Sequence, residues 1–164
     1  MLIKWIQCKV SSGQKQLFSK AQEEWAALEK VKGFIGQAGG WSLTSPDEAC
    51  IVSLWQSQES YEYFMKQEHD EIFLNSGQKS TYKRISVSLF EGPSFTQLSS
   101  FEHLNFLFLS EEKTDLDETT LCLNGKNKKN GRNIYISISE FPINPIEKGT
   151  SVEIEKRWTV LKMH

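Results

Sequence analysis

The sequence is poor in the residues that build metal centres and disulfide frameworks. Its 164 residues include three cysteines, Cys8, Cys50 and Cys122, which are widely separated and form no C-x-x-C pair. Three isolated thiols cannot form a disulfide framework, and they are typical of a protein kept in a reducing compartment. We therefore expect free thiols and a cytoplasmic location.

Long apolar runs and concentrated positive charge are also missing. No run approaches the ~18 apolar residues of a membrane span, and the opening MLIKWIQCKV is too short and too charged for a signal peptide. Net charge is −2, with 19 basic and 21 acidic residues mixed along the chain. The one basic cluster, residues 126–129, lies between two glycines, as in a solvated hairpin turn. We expect neither nucleic acid nor a membrane as partner.

Familiar catalytic and cofactor motifs are absent as well. The sequence has no G-x-S-x-G, no phosphate-binding loop and no dinucleotide fingerprint. His69, Asp70 and Glu71 are adjacent, so their side chains diverge on a helix, and His103 and His164 have no ligand spacing. We expect no metal and no cofactor.

The chain is instead rich in aromatic residues and regular patterns. Aromatic residues make up 12% of it, including five Trp and ten Phe. Residues 2–10 alternate as a strand, with Leu2, Ile6 and Cys8 on one face and Trp5 and Gln7 on the other. A lysine at position 4 interrupts the apolar face. Both faces must therefore be at least partly covered.

The order of predicted elements defines a fold. A helix ending at Gly33 follows the first strand, and strands are predicted at 34–43 and 49–55. Glycines inside the second strand indicate a bulge, a bend or the close approach of another backbone. A second helix begins after Ser57, and a strand spans 82–90. This βαββαβ order predicts a ferredoxin-like α+β unit with both helices on one face of an antiparallel sheet.

The C-terminal region is predicted to be rich in β-structure. Its expected strands are 105–109, 119–123, 133–139 and 151–162. SVEIEKRWTVLK resembles the earlier TYKRISVSLFE, and NIYISISEF resembles ACIVSLWQS. Two explanations stay open: a degenerate second copy of the first unit, or an unrelated extension covering an exposed sheet face. The sequence thus divides into a ferredoxin-like domain, 1–92, and a β-rich region, 96–164.

Three segments, MLIKWIQCKV, GFIGQAGGW and VSLWQSQESYEYFM, carry a family resemblance. With them the chain resembles the antibiotic-biosynthesis-monooxygenase-like superfamily of dimeric α+β barrels. HDEIF and QKSTYKRI are similar to an uncharacterised bacillus-type branch of it. The resemblance implies two sheets packed face to face. We expect a homodimer unless the C-terminal region covers the sheet face that holds Ile3, Trp5, Ile35 and Trp41.

The haem-degrading branch of that superfamily uses an Asn, a Trp and a His. The matching positions here hold Ile6, Phe64 and Leu74, so all three chemical groups are missing. Haem degradation is therefore not expected, and haem binding through His69 is a minor alternative.

The cofactor-free oxygenases of the superfamily imply a different site. Such chemistry needs an enclosed apolar cavity, an aromatic wall and a few polar groups that deprotonate a phenol-like substrate. The candidate ligand-binding residues are Trp5, Gln7, Trp41, Trp55, Tyr61 and Phe64. His69 is the candidate catalytic group for proton transfer. Each aromatic could instead belong to the core, and His69 could lie at the surface near the negative end of a helix.

Two functional hypotheses follow. The first is a monooxygenase-like enzyme that oxidises a small aromatic or quinone-like compound without a cofactor. The second is a non-catalytic protein that binds a small hydrophobic ligand or acts as an interaction module. Whether His69 faces a cavity beneath the second helix discriminates between them.

Overall fold

The computed structural model describes residues 1–93, 103–113, 121–142 and 148–162. The strands are β1 (Leu2–Val10), β2 (Phe34–Ser42), β3 (Glu48–Trp55), β4 (Tyr82–Glu91), β5 (Phe106–Ser110), β6 (Leu121–Asn127), β7 (Asn133–Ser139), β8 (Gly149–Ile154) and β9 (Val160–Leu161). The α-helices are α1 (Lys15–Glu23), α2 (Gln58–Gln67) and α3 (His69–Ser76), and a 3-10 helix, Glu24–Lys30, continues α1. Across these ranges no helix has the length and apolarity needed to cross a membrane.

The first half of the chain has the predicted ferredoxin-like order. Its sheet runs β4-β1-β3-β2, entirely antiparallel. The α-helices pack on one face of this sheet. Ser57 caps α2 by accepting a hydrogen bond at Oγ from the Ser60 backbone N–H at 3.2 Å. The predicted α+β architecture is confirmed.

The second half repeats the strand order of the first. Its strands are arranged β8-β5-β7-β6, which is again the fourth, first, third and second strand of the unit. The resemblance of NIYISISEF to the β3 segment, and of SVEIEKRWTVLK to the β4 segment, matches these positions. The C-terminal region is therefore a second copy that has kept its strands, and the connections between them hold no α-helix within the described residues. The predicted boundary near residues 92–96 borders the undescribed segment 94–102 and stays a prediction.

The two halves close into one barrel of eight strands. At one seam β4 pairs with β6, with Phe90 opposite Asn127. At the other β2 pairs with β8, with Gly40 opposite Ile154. The strand β9 extends the pairing along β2. A side chain on Gly40 would collide with the backbone carbonyl of Glu153, so the glycine permits this close approach.

The barrel interior is a hydrophobic core shared by both halves. Its members include Ile3, Trp5, Val52, Leu54, Leu107, Ile136, Ile138 and Val152. The sheet face that was expected to need a partner subunit is thus covered by the chain's own C-terminal strands. The dimer prediction was conditional on that face being open, and the oligomeric state stays a prediction.

One predicted face assignment is wrong. Trp41 was placed on the same face as Trp5 and Ile35, but a β-bulge shifts the register between Phe34 and Gly36. The extra residue, Ile35, packs against the barrel interior, and alternation after the bulge turns Trp41 outward to the helix side.

Candidate functional site

A cavity lies between the outer face of the first-half sheet and the helical layer. Its volume is about 340 Å³, which is at the low end for ligand pockets and suits one small molecule. Strands β1 and β3 form the floor, α2 and α3 form one wall, and the 3-10 helix after α1 forms another. The lining is mostly apolar and aromatic, and includes Ile6, Trp25, Leu28, Ile51, Trp55, Tyr61, Phe64, Met65 and Phe73.

A short polar row crosses the floor. The strand register places Lys4 of β1 opposite Ser53 of β3, and Ser53 opposite Gln37 of β2. All three residues face the helices because their neighbours in sequence face the barrel interior. The row is fixed by backbone pairing, so its position relative to the aromatic walls does not depend on a loop.

Lys4 is the most unusual group in this row. Its side chain is only 8% exposed, and no carboxylate or hydrogen-bond acceptor pairs with it in the described part of the chain. Its contact is the Tyr61 ring, whose centroid lies 5.1 Å from Nζ. Burial lowers the pKa of Lys4 from 10.5 to about 8. The cavity therefore holds a cation that is poorly compensated by the protein.

The other titratable groups of the lining do not supply the missing negative charge. Burial raises the pKa of the Cys8 thiol to about 12, opposed in part by the nearby Lys4. Burial also raises the pKa of the Tyr61 and Tyr82 hydroxyls. No Asp or Glu is among the described residues that line the cavity. The described lining residues therefore supply no carboxylate to compensate the charge of Lys4.

The aromatic wall is held by mutual packing. Trp55 is 1% exposed and stacks on Phe64, with ring centroids 4.8 Å apart. Tyr61 meets Trp55 edge-on at 5.5 Å. The indole N–H of Trp55 donates to Ser53 Oγ at 3.2 Å, which ties the wall to the polar floor.

His69 also lines the cavity. Its ring lies parallel to Phe73 at 5.7 Å, edge-on to Phe64 at 5.7 Å and tilted to Trp25 at 5.5 Å. Its side chain is 19% exposed, and Nδ1 lies 2.9 Å from Asp70 Oδ1. His69 opens α3 rather than closing α2, because the chain turns at Glu68, so the alternative of a surface histidine at a negative helix end is wrong. Its catalytic role stays a prediction.

An amide network closes the roof. The indole N–H of Trp25 donates to Gln78 Oε1 at 2.9 Å, and Gln78 Nε2 donates to Gln22 Oε1 at 2.7 Å. Gln22 and Gln78 therefore pair with each other, and Gln78 orients Trp25 toward the cavity. On the floor, Gln37 Nε2 donates to the Trp158 carbonyl at 3.3 Å.

The predicted ligand-binding residues divide into two sets. Trp55, Tyr61 and Phe64 line the cavity. Trp5 is buried in the barrel interior, and Gln7 faces the same way and donates to Glu48 Oε1 at 3.2 Å. Trp41 is on the helix side, but packs against Phe18 and Trp158 away from the cavity. Alternation along β1 excludes Trp5 and Gln7, because the cavity lies on the other face of the sheet.

Lys4, Ser53, Gln37 and Gln78 were not among the predicted site residues. For Lys4 the signal was present, since a lysine in the middle of an apolar strand face is rarely buried without a reason. The others have no comparable signal, because their place in the site depends on strand register and helix packing.

Comparisons with known proteins place the chain among relatives of undetermined function. Residues 2–90 match a family model described as a domain of unknown function, DUF4937. The uncharacterised protein YdbC of Bacillus subtilis strain 168 is 43% identical over 93 residues, covering 56% of this chain and 78% of that protein.

Solved structures extend the likeness to the whole chain. A candidate monooxygenase from Lactobacillus acidophilus NCFM has a TM-score of 0.72 at 8% identity, covering 98% of this chain and 96% of that one. A candidate antibiotic biosynthesis monooxygenase from Deinococcus radiodurans has a TM-score of 0.51 at 11% identity, covering 61% of this chain and all of that one. At these identities the likeness shows the fold, which is the fold that the predicted resemblance implied. Since the family model spans more than half of its length, the chain belongs to the family described as the domain of unknown function DUF4937.

Proposed function

We propose that the protein is a cofactor-independent monooxygenase that binds a small hydroxylated aromatic or quinol-type compound as its anion above Lys4. One observation carries the proposal: a buried ammonium group without a carboxylate partner, on the floor of a largely aromatic cavity. Such a group favours a ligand that combines a flat apolar body with one acidic hydroxyl.

The charge of Lys4 makes the ligand reactive toward oxygen. A neutral phenol is a poor electron donor to O2, whereas its anion is a much better one. In a cavity of low dielectric, an ammonium group near the hydroxyl stabilises the anion far more than it would in water. The pKa of Lys4 is about 8, so at neutral pH most of the population is protonated and can fill this role.

His69 is the proposed proton acceptor. In the reaction it removes the hydroxyl proton, and the resulting anion transfers one electron to O2. The radical pair recombines with formation of a C–O bond, giving a peroxide on a ring carbon that still carries one hydrogen. Loss of that proton with cleavage of the O–O bond leaves a carbonyl group and releases the second oxygen atom as water. Overall the substrate loses two hydrogens, one from the hydroxyl and one from the ring carbon, and gains one oxygen atom, so no external reductant is needed.

The comparisons support this proposal only through the fold. The Lactobacillus acidophilus structure is named as a candidate monooxygenase, and it spans nearly the whole chain at 8% identity. The three cysteines are free thiols, in keeping with the proposed reducing, cytoplasmic compartment.

A non-catalytic binding protein is the second candidate function. The observation that favours it is the small number of proton-transfer groups, since the described lining offers one imidazole and no carboxylate. Such a protein would use Lys4 to hold an acidic aromatic ligand without oxidising it.

Oxygen uptake and ligand binding together test the proposal. Wild type, Lys4→Met, His69→Gln and the exposed same-strand control Lys9→Met are assayed with a panel of hydroxylated aromatics and quinols, and binding is measured anaerobically by tryptophan fluorescence. We expect Lys4→Met to lose binding, His69→Gln to bind without oxygen uptake, and Lys9→Met to behave as wild type. Binding without uptake in wild type would establish the second candidate, and no binding across the panel would overturn both.

A further inference from the structure

We infer that the same cavity captures small aromatic aldehydes covalently, with the Lys4 amine forming an imine at the carbonyl carbon. This activity goes beyond the proposed oxygenation and uses the same floor residue in a different role. It requires neither oxygen nor His69, so it stands or falls independently of oxygen uptake.

The position of Lys4 is the first argument. An amine that forms imines must be unprotonated when it attacks, reachable by the ligand and free of a carboxylate that would keep it protonated. Lys4 is buried on the floor of the cavity and has no ion-pair partner among the described residues. By contrast, Lys162 donates to the Val31 carbonyl at 2.9 Å, and Lys9 on the same strand is exposed.

The protonation balance of Lys4 is the second argument. With a pKa of about 8, roughly a tenth of Lys4 is neutral at pH 7, against less than about one in a thousand for an ordinary lysine. The titratable groups that face the cavity from the surrounding elements are Cys8, Tyr61, His69 and Tyr82. Burial raises the pKa of the thiol and of both hydroxyls, so none of these three supplies an anion that would hold the proton on Lys4.

The chemistry balances within the cavity. The Nζ lone pair attacks the carbonyl carbon, and the carbonyl π electrons move to oxygen, which takes up a proton while the nitrogen loses one. The carbinolamine hydroxyl then takes up a proton and leaves as water while the nitrogen lone pair forms the C=N bond, and the resulting iminium gives one proton back as it becomes the imine. The net reaction is amine plus aldehyde giving imine plus one water molecule, with no oxidant or reductant.

Two neighbouring features suit this capture. The stacked pair Trp55 and Phe64 offers a flat apolar wall beside the floor, which favours an aromatic aldehyde over an aliphatic one. Ser53, the cross-strand partner of Lys4, accepts the Trp55 indole N–H at its oxygen and keeps its own hydrogen for donation. That hydroxyl can therefore donate a hydrogen bond to the carbinolamine oxygen.

Reductive trapping tests the inference. The protein is incubated with 4-hydroxybenzaldehyde and sodium cyanoborohydride, and adducts are located by peptide mass mapping in wild type, Lys4→Arg and Lys9→Arg. Lys4→Arg keeps the positive charge and removes the nucleophile. We expect Lys4 to be labelled at least tenfold faster than the exposed lysines, with the fast adduct lost in Lys4→Arg and unchanged in Lys9→Arg.

The pH profile gives a second readout that needs no variant. Labelling of Lys4 in wild type should rise with a midpoint near 8, whereas labelling of exposed lysines should rise toward 10. Labelling spread evenly over the lysines, or a Lys4 midpoint near 10, would overturn the inference. A fast Lys4 adduct without oxygen uptake would exclude the proposed monooxygenase activity and support imine capture. Oxygen uptake without a fast Lys4 adduct would exclude imine capture and support the monooxygenase activity.

Discussion

Replacing Lys4 by methionine should stabilise the protein while removing its ligand site. Lowering the pKa from 10.5 to about 8 corresponds to about 3 kcal/mol of unfolding free energy at neutral pH. The side chain is 8% exposed, so solvent screening offsets little of this cost. Loss of the contact with the Tyr61 ring costs about 1 kcal/mol, which leaves a net gain in stability of about 2 kcal/mol.

The pH dependence of the unfolding free energy shows whether the Lys4 charge is the source of the stability gained in Lys4→Met. The folded-state pKa of Lys4 is depressed, so the cost of its burial is absent above 10.5, appears as the pH falls toward 8, and is fully present below 8. The difference in unfolding free energy between Lys4→Met and wild type should therefore be largest at pH 7 and shrink between pH 8 and 10.5.

Urea unfolding followed by tryptophan fluorescence measures this difference at several pH values. Lys9→Met is the matched control, because Lys9 is exposed on the same strand, and its change should stay within about 0.5 kcal/mol. If Lys4→Met is less stable than wild type, or if its gain in unfolding free energy does not vary with pH, then burial of the Lys4 charge does not destabilise the protein.

Three further predictions concern the barrel and the roof of the cavity. Gly40→Ala should destabilise the protein by more than about 2 kcal/mol in urea unfolding, because a side chain there collides with the Glu153 backbone. The control Gly13→Ala should change stability little, because the space around Gly13 is open. Gln78→Leu should cost about 1–3 kcal/mol, since it leaves the buried Trp25 N–H without an acceptor; a neutral result in the same assay would contradict the assigned hydrogen bond. Sedimentation velocity should show a monomer, because the sheet face that a second subunit would cover is occupied by β5–β8, and a stable dimer would require a different interface.

The fold could be predicted from the sequence because its strands carry regular patterns. Residues 2–10 alternate except at Lys4, and the predicted and observed strand have the same bounds. The second copy was one of two open alternatives, because only weak resemblance linked its strands to the first. The assignment of Trp41 failed for a local reason, since one bulged residue at Ile35 reverses every later side chain in β2.

The candidate site could be predicted only in part. The aromatic wall was accessible because Tyr61 and Phe64 share a helical face that must pack on the sheet. Which face of β1 lines the cavity could not be predicted, because it depends on which face packs against the helices and which face points into the barrel. The sequence marks Lys4 as a lysine within an apolar strand face, but the absence of a nearby carboxylate depends on tertiary packing and is not visible in a run of nine residues.

The most direct test of the central claim is the ionisation state of a phenol bound in the cavity. 4-Nitrophenol is suitable because its anion absorbs visible light and because it does not react with oxygen under these conditions. Wild type should lower the pKa of the bound phenol by about one unit or more, and Lys4→Met should not. Binding of the neutral phenol by wild type, or an equal shift in both proteins, would contradict the claim that the cavity is built around the Lys4 charge.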